Sequence, residues 1–198
     1  MRSKRIGIYA GTFDPVHAGH ITFAVQSLKA AELDQVFFLP ERRPRNKQGV
    51  EHFGHRVAML NRAIKPHPKF DVLELVDVNF TVARTLTYLE AKFPSSQIAL
   101  LIGSDVLNSL TNWPNSDKLL RNCELVISAR KDDDIEQLKK LIDGWEVKPK
   151  AATMFVSYAP DVSSSKIRAA LQTRKHTKGL LKSVARYSNK HWLYVSVG

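Results

Sequence analysis

Residues 6–20 read IGIYAGTFDPVHAGH. A short apolar run is broken by a glycine and an Asp-Pro turn, and a Gly-His step then opens a helical pattern. This predicts a strand that passes through a tight turn into a helix. Beyond His20, Ile21, Ala24, Val25 and Leu28 fall at i, i+3, i+4 and i+7, one apolar helical stripe. Such a turn presents backbone N–H groups and a positive helix end to whatever lies beyond the strand, and both suit phosphate. His17 and His20 stand where ring nitrogens can donate to phosphoryl oxygens. The spacing matches neither the dinucleotide fingerprint nor the lysine-bearing P-loop, so a phosphate site here rests on imidazole. The same pair could ligate metal, but no cysteine or carboxylate is placed to complete a zinc set. As an isolated H-x-x-H it would also fit an ordinary surface pair.

The alternation continues outward. Further apolar runs are QVFFLP (35–40), FDVLELV (70–76), IALLIG (98–103), ELVIS (124–128) and TMFVSY (153–158). Several are almost wholly apolar, as strands buried on both faces are. Amphipathic stretches lie between them. Phe53, Val57, Leu60 and Ile64 make one stripe, and DDDIEQLKKLI (132–142) runs from acids to lysines in the sense the helix dipole favours. Strand-helix alternation predicts an α/β fold: a Rossmann-like, doubly wound, mainly parallel sheet with helices on both faces. Residues 163–194 read as helices only, a C-terminal segment of the same single domain, 1–198. In open α/β sheets ligands bind beyond the carboxyl ends of the strands, so the informative residues should follow strands.

Composition narrows the class. With 43% hydrophobic and 25% charged residues the chain is an ordinary globular one. MRSKR resembles a signal-peptide start, but the apolar stretch after it breaks at once into GTFDP, and no run approaches a membrane span. One cysteine, Cys123, excludes an internal disulfide and points to a reducing, cytoplasmic setting. In RNCELVIS it reads as a packing residue. The net charge of +11 favours anionic partners, with much of the excess in ERRPRNK (41–47) and the tail from Lys166 to Lys190. RNA-binding surfaces interleave aromatics with basic residues, and RKHTKGLLKSVARYSNKHW (174–192) holds only Tyr187 and Trp192, so nucleic acid is not the expected partner.

The string GTFDPVHAGH after a first strand resembles the signature of the HxGH nucleotidyltransferase superfamily, with H17-A18-G19-H20 as its core. Later segments are similar to the nicotinate mononucleotide adenylyltransferase family within it. FLPERRPRNK keeps the proline and lysine positions Pro40, Pro44 and Lys47, though the family's usual Pro-Pro-His-Lys ending reads P44-R45-N46-K47. GSDVLNSLTNW (103–113) resembles the G-(A/S)-D…W segment, SSSKIR (163–168) the S-S-T-x-I-R motif, and ISAR (127–130) the strand-end arginine. V184-A185-R186-Y187 with L193-Y194 resembles the closing V-x-x-Y…L-Y segment. The likeness spans residues 5–194.

The resemblance implies transfer of an adenylyl group from ATP to nicotinate mononucleotide, giving deamido-NAD and pyrophosphate in NAD biosynthesis. It implies that Gly11, Thr12, Phe13, His17, His20, Gly103, Asp105, Ser164, Ser165 and Arg168 bind ATP. Lys47, Thr85, Trp113 and Arg130 would bind the mononucleotide. His17, His20, Lys47 and Arg168 would carry the catalytic work. Mg²⁺ would arrive with ATP, since the motifs contain no acidic cage. One departure concerns the acceptor. The family's S-Y-T-(I/V)-D-T-L reads N79-F80-T81-V82-A83-R84-T85-L86 here, beside the pyridine pocket in the family, which leaves nicotinate against nicotinamide mononucleotide open. Other phosphorylated acceptors, a nucleic-acid-binding protein and a non-catalytic nucleotide sensor are the rival readings. Oligomeric state is not encoded in these motifs.

Overall fold

The computed structural model describes residues 3–45, 47–158, 162–173, 175 and 177–195. Each of the six apolar runs forms a strand: β1 (Arg5–Gly11), β2 (Gln35–Pro40), β3 (Phe70–Val72), β4 (Gln97–Gly103), β5 (Cys123–Ala129) and β6 (Ala152–Val156). They form one six-stranded sheet in the order β3-β2-β1-β4-β5-β6. The pairs β1–β4, β4–β5 and β5–β6 are parallel, with Ile8 opposite Leu100 and Gly103 opposite Ser128. This is the Rossmann-like, doubly wound order. Chain direction across the sheet reverses at β1 and β4, the strands that end at Gly11 and Gly103.

The helices are α1 (Ala18–Ala30), α2 (Phe53–Ile64), α3 (Thr87–Lys92), α4 (Leu107–Leu110), α5 (Ser116–Asn122), α6 (Ile135–Asp143), α7 (Ser164–Gln172) and α8 (Lys182–Lys190). A π-helical turn, Val82–Leu86, precedes α3, and a 3₁₀ turn, Ser104–Val106, precedes α4. Sequence chemistry explains the ends. Asp134 caps α6, its carboxylate accepting from the Glu136 and Gln137 N–H groups, and Ser163 caps α7, accepting from the Lys166 N–H.

The chain divides into two compact units. The first comprises Met1–Tyr9, Ala24–Phe37 and Phe80–Tyr158, and its core is the apolar run of β4 and β5, where Leu125, Val126 and Ile127 are fully buried. The second comprises Ala10–Phe23, Phe38–Asn79 and Ala159–Gly198. Its core includes Phe13, Phe38, Met59 and Leu60, all buried. Phe38 packs edge-to-face on Phe13 at 5.6 Å and on Phe70 at 5.5 Å.

Three local expectations are revised. The run 70–76 gives a strand only to Val72. Beyond it Leu73 and Leu75 still bury their side chains and Val76 is 94% exposed, so the apolar contacts outlast the strand pairing by three residues. In α1, Val25 is exposed and Phe23, Ala24 and Ser27 are buried. The buried face is therefore rotated from the predicted stripe. Buried Gln26 is accommodated because its amide donates to the Val156 carbonyl at 3.4 Å and its oxygen accepts from Ser157 Oγ at 3.3 Å. Finally, β6, at the end of the strand order, is only half-buried rather than covered on both faces. Cys123 is a packing residue as expected: it is buried, and burial pushes its thiol pKa up to about 12.

Candidate active site

In the second unit, β1 ends at Gly11 and the chain turns back on itself. Phe13 adopts a positive φ of 51°, which folds its ring over Gly11. A Cβ at Gly11 would lie 2.9 Å from that ring, so glycine is required there. His17 then takes the N-cap position of α1, which makes Ala18, Gly19 and His20 the first three helical residues. The His17 backbone N–H donates to His20 Nδ1 at 3.2 Å. This is the reach-back half of a capping box, with imidazole in the place of the usual Glu or Gln. A backbone N–H can only donate, so Nδ1 of His20 is the acceptor and the neutral ring carries its proton on Nε2. The helix start thereby fixes which ring nitrogen is the donor.

The glycine of H-A-G-H has its own cause. A Cβ at Gly19 would come within 3.0 Å of the His17 ring and 3.2 Å of Val162. The two imidazoles lie face to face, 3.7 Å between centroids. Neither is charged at neutral pH. Burial lowers His17 to about 4. His20 falls well below its ordinary value, through burial first and then through repulsion from His17, where that ring is protonated, and from Lys47. Lys47, from the loop after β2, donates to Thr12 Oγ1 at 2.9 Å. Asn46 lies outside the described residues.

The S-S-S-K-I-R segment closes on the same turn. Ser164 Oγ donates to the Pro15 carbonyl at 3.1 Å. Arg168 Nη1 donates to the Asp14 carbonyl at 2.7 Å, and Nη2 donates to Ser165 Oγ at 3.2 Å. The second unit thus gathers Gly11, Thr12, Phe13, His17, His20, Lys47, Ser164, Ser165 and Arg168.

The remaining candidates belong to the first unit. Gly103 ends β4, and a Cβ there would meet Asp105 Oδ1 at 2.6 Å, so the G-S-D order lets the carboxylate fold back over the strand end. Asp105 does not cap the turn it sits in, which has no side-chain cap. Its Oδ2 pairs with Arg130 Nη2 at 3.4 Å, with both side chains mostly exposed. The Asp105 charge and, above all, burial raise Tyr9, so that phenol stays protonated. Trp113 is half-buried and packs edge-to-face on Phe80 at 6.2 Å. Thr85 is buried, and its hydroxyl accepts from the Thr81 N–H at 3.1 Å at the entry to the π turn. Among the described residues, no cluster of three or more His, Cys, Asp or Glu could hold a metal ion. No helix of those residues is long and apolar enough to cross a membrane.

A family profile for cytidylyltransferase-like proteins matches residues 8–170, from within β1 into α7. The chain belongs to the cytidylyltransferase-like family. Within this family it is 32% identical over 202 residues to the nicotinate-nucleotide adenylyltransferase of Bacillus subtilis (strain 168), covering 98% of this chain and 100% of that one. The sequence resemblance to the adenylyltransferases therefore holds, and the chain is a nucleotidyltransferase of that group. Its fold matches the Plasmodium falciparum nicotinic acid mononucleotide adenylyltransferase complexed with APC. The TM-score is 0.78 at 19% identity, over 96% of this chain and 97% of that one. The same enzyme complexed with NaAD gives 0.77 at 20% identity, with the same coverage.

Several residues that shape this nucleotidyltransferase site do so through contacts that the sequence motifs do not announce. Arg56 is fully buried and donates to the carbonyls of Thr12, Glu41, Arg42 and Glu51 at 2.6–3.1 Å. It ties the first turn to the loop that bears Lys47. RVAML (56–60) is similar to the helix that follows the lysine loop in the adenylyltransferase family, a likeness that marks the segment but not the buried role of its arginine. Asp133 accepts from the Arg130 N–H at 2.6 Å and so fixes the strand end from which Arg130 projects. Tyr194 donates its hydroxyl to Asp14 Oδ1 at 2.7 Å. Its place in the closing L-Y pair marked it as a packing residue and gave no reason to expect a polar role.

Proposed function

We propose that this chain joins ATP and nicotinate mononucleotide, giving deamido-NAD and pyrophosphate, and that residues 1–198 act as one nucleotidyltransferase domain with 163–194 as its C-terminal segment. The observation that carries the reading is the start of α1. His20 is neutral, and the His17 N–H fixes its proton on Nε2. A neutral, oriented N–H donor suits a phosphoryl oxygen that gains charge during transfer, because it needs no reorganisation as the charge develops.

The chemistry is an in-line displacement. A phosphate oxygen of the mononucleotide attacks the α-phosphorus of ATP, the α–β bridging bond breaks, and pyrophosphate leaves with the electron pair. The attacking oxygen is already an anion at neutral pH, so no strong general base is required. Catalysis then rests on positioning and on neutralising charge. His17, His20, Ser164, Ser165 and Arg168 take the triphosphate, with the backbone of Gly11, Thr12 and Phe13 lining the turn. Lys47 and Arg130 take the attacking phosphate. Gly103 and Asp105 take the adenosine side, Asp105 by accepting from ribose hydroxyls. Trp113 offers a stacking face for the pyridine ring, and Thr85 borders it. ATP enters as its Mg²⁺ complex, the metal being part of the substrate. A cytoplasmic setting accords with a single buried thiol.

The test is pyrophosphate release by the purified protein with ATP and Mg²⁺, run side by side with nicotinate and nicotinamide mononucleotides. Strong preference for nicotinate is expected. Preference for the amide keeps the chemistry and replaces the acceptor, and the π turn at Val82–Leu86 would then be the segment to examine. No release with either overturns the reading.

A further inference from the structure

Asp14 is a buried carboxylate inside the turn that grips phosphate, 2% exposed. Arg168 stands beside it, Nη1 lying 2.7 Å from the Asp14 carbonyl and 3.8 Å from Oδ2. An arginine that serves an anionic substrate while touching a buried carboxylate has two rivals for its charge. The carboxylate wins unless its oxygens are occupied by other donors.

They are occupied, and from the end of the chain. The Tyr194 hydroxyl donates to Asp14 Oδ1 at 2.7 Å, and the Glu51 N–H donates to Oδ2 at 3.4 Å. The Tyr194 N–H in turn donates to Glu51 Oε1 at 3.3 Å. Burial and the neighbouring Asp14 charge raise the Tyr194 phenol far above its ordinary value, so it remains a donor at any working pH. Tyr194 also holds a positive φ of 63°, a conformation a tyrosine adopts only when its surroundings fix it.

We infer that Tyr194 is a positioning residue for nucleotide binding: by occupying Asp14 Oδ1 it keeps the ion pair between Arg168 and Asp14 Oδ2 loose, and so leaves the guanidinium, bound to the Asp14 carbonyl and Ser165, able to meet the triphosphate. Without its hydroxyl, Asp14 Oδ1 turns to Arg168, and the loose 3.8 Å ion pair tightens into a close one. The inference rests on the reading of Arg168 as a phosphate ligand.

The experiment measures binding of inorganic triphosphate by calorimetry, together with KM for ATP and for nicotinate mononucleotide, in wild type, Tyr194→Phe, Asp14→Asn and the double variant. Phenylalanine keeps the ring and tolerates the same backbone as tyrosine. In Tyr194→Phe the triphosphate Kd and the ATP KM should each rise about tenfold, the effect of removing a hydrogen bond to a charged group. The mononucleotide KM should stay within about twofold. In the Asp14→Asn background the charge that competes is gone, so Tyr194→Phe should add less than about twofold. Additive effects, equal weakening of both substrates, or an unchanged triphosphate Kd in Tyr194→Phe would overturn the inference, as would a wild-type protein that does not bind triphosphate. A wild type that binds triphosphate but releases no pyrophosphate would instead overturn the proposed function. The variant ratios in triphosphate Kd would still decide the role of Tyr194.

Discussion

The two groups of candidate residues are built in opposite ways. In the second unit, His17 and Asp14 are almost fully buried, and Lys47, Ser164 and Arg168 are tied to the first turn by hydrogen bonds to Thr12, Pro15 and Asp14. In the first unit, Asp105 and Arg130 are 62% and 71% exposed and hold one another at 3.4 Å. A group that must stabilise charge as it develops gains from being fixed before substrate arrives, since reorganisation during the reaction adds to the barrier. A group that must first capture an acceptor gains from side chains that can exchange a weak mutual contact for a substrate contact. The contrast sets a rigid first turn, whose buried helix-start histidine is expected to govern turnover as well as binding, against an exposed pair expected to govern affinity alone.

The sharpest way to break that contrast is His20→Ala. With the donor gone, kcat should fall about 10²–10³-fold, as on loss of one oxyanion donor, with KM for either substrate little changed. Steady-state pyrophosphate release reads both constants, and wild-type turnover would remove His20 from the chemistry. Arg56→Ala probes the same unit through its scaffold. Four part-buried carbonyls lose their shared donor, and with water reaching some of them stability should drop by about 3 kcal/mol, less than four times the cost of about 1–3 kcal/mol for each group left unsatisfied. In a chain of this size that lowers Tm by about 6–12 °C, measurable by calorimetry. An unchanged Tm would mean that water replaces the guanidinium and that the turn holds its own shape.

Acid should act on the buried unit in a definite sense. His17 is depressed to about 4 in the folded chain and titrates near its ordinary value when unfolded. Between those values the unfolded state binds more protons, so folding stability rises with pH. Its contribution is fully present above about pH 6.5 and is lost progressively as pH falls toward about 4. His20, shifted in the same direction, steepens the loss. Tm measured from pH 7 to 5 should decline, and His17→Gln, which cannot take up the proton, should decline less. An equal decline in the variant would mean that carboxylates elsewhere set the acid limit.

How much of this was legible in the residues follows the same contrast. All six strands were readable, because each falls in a short apolar run, and the two that meet at the switch in strand order end at Gly11 and Gly103. The phosphate turn was readable in outline, because G-T-F-D-P-V-H-A-G-H has a backbone reason at Gly11 and Gly19. What could not be read was the support behind it. Arg56, Asp133 and Tyr194 act through contacts 3–180 positions away, from Asp133 on Arg130 to Tyr194 on Asp14, and no local pattern announces those pairings. The stripe of α1 misled at Val25 for a similar reason: two long-range hydrogen bonds make a polar Gln26 buriable while a valine one residue earlier faces solvent.

The smallest expected effect tests the open group. Asp105→Asn removes the charge but keeps the shape beside Gly103. Because the pair with Arg130 is exposed and screened, stability should change by less than about 1 kcal/mol. The variant frees Arg130 from its partner and leaves an amide that still accepts a hydrogen bond. Two effects on substrates then oppose one another. An unpaired Arg130 should hold the attacking phosphate at least as tightly, leaving the mononucleotide KM unchanged or slightly lower. A weaker acceptor for the ribose should raise the ATP KM by about threefold, the scale of a neutral hydrogen bond exchanged for a charged one. If instead kcat fell by orders of magnitude with both KM values steady, the exposed pair would be part of the fixed charge-stabilising machinery. The contrast between a turn that acts on turnover and an exposed pair that acts on affinity alone would then fail.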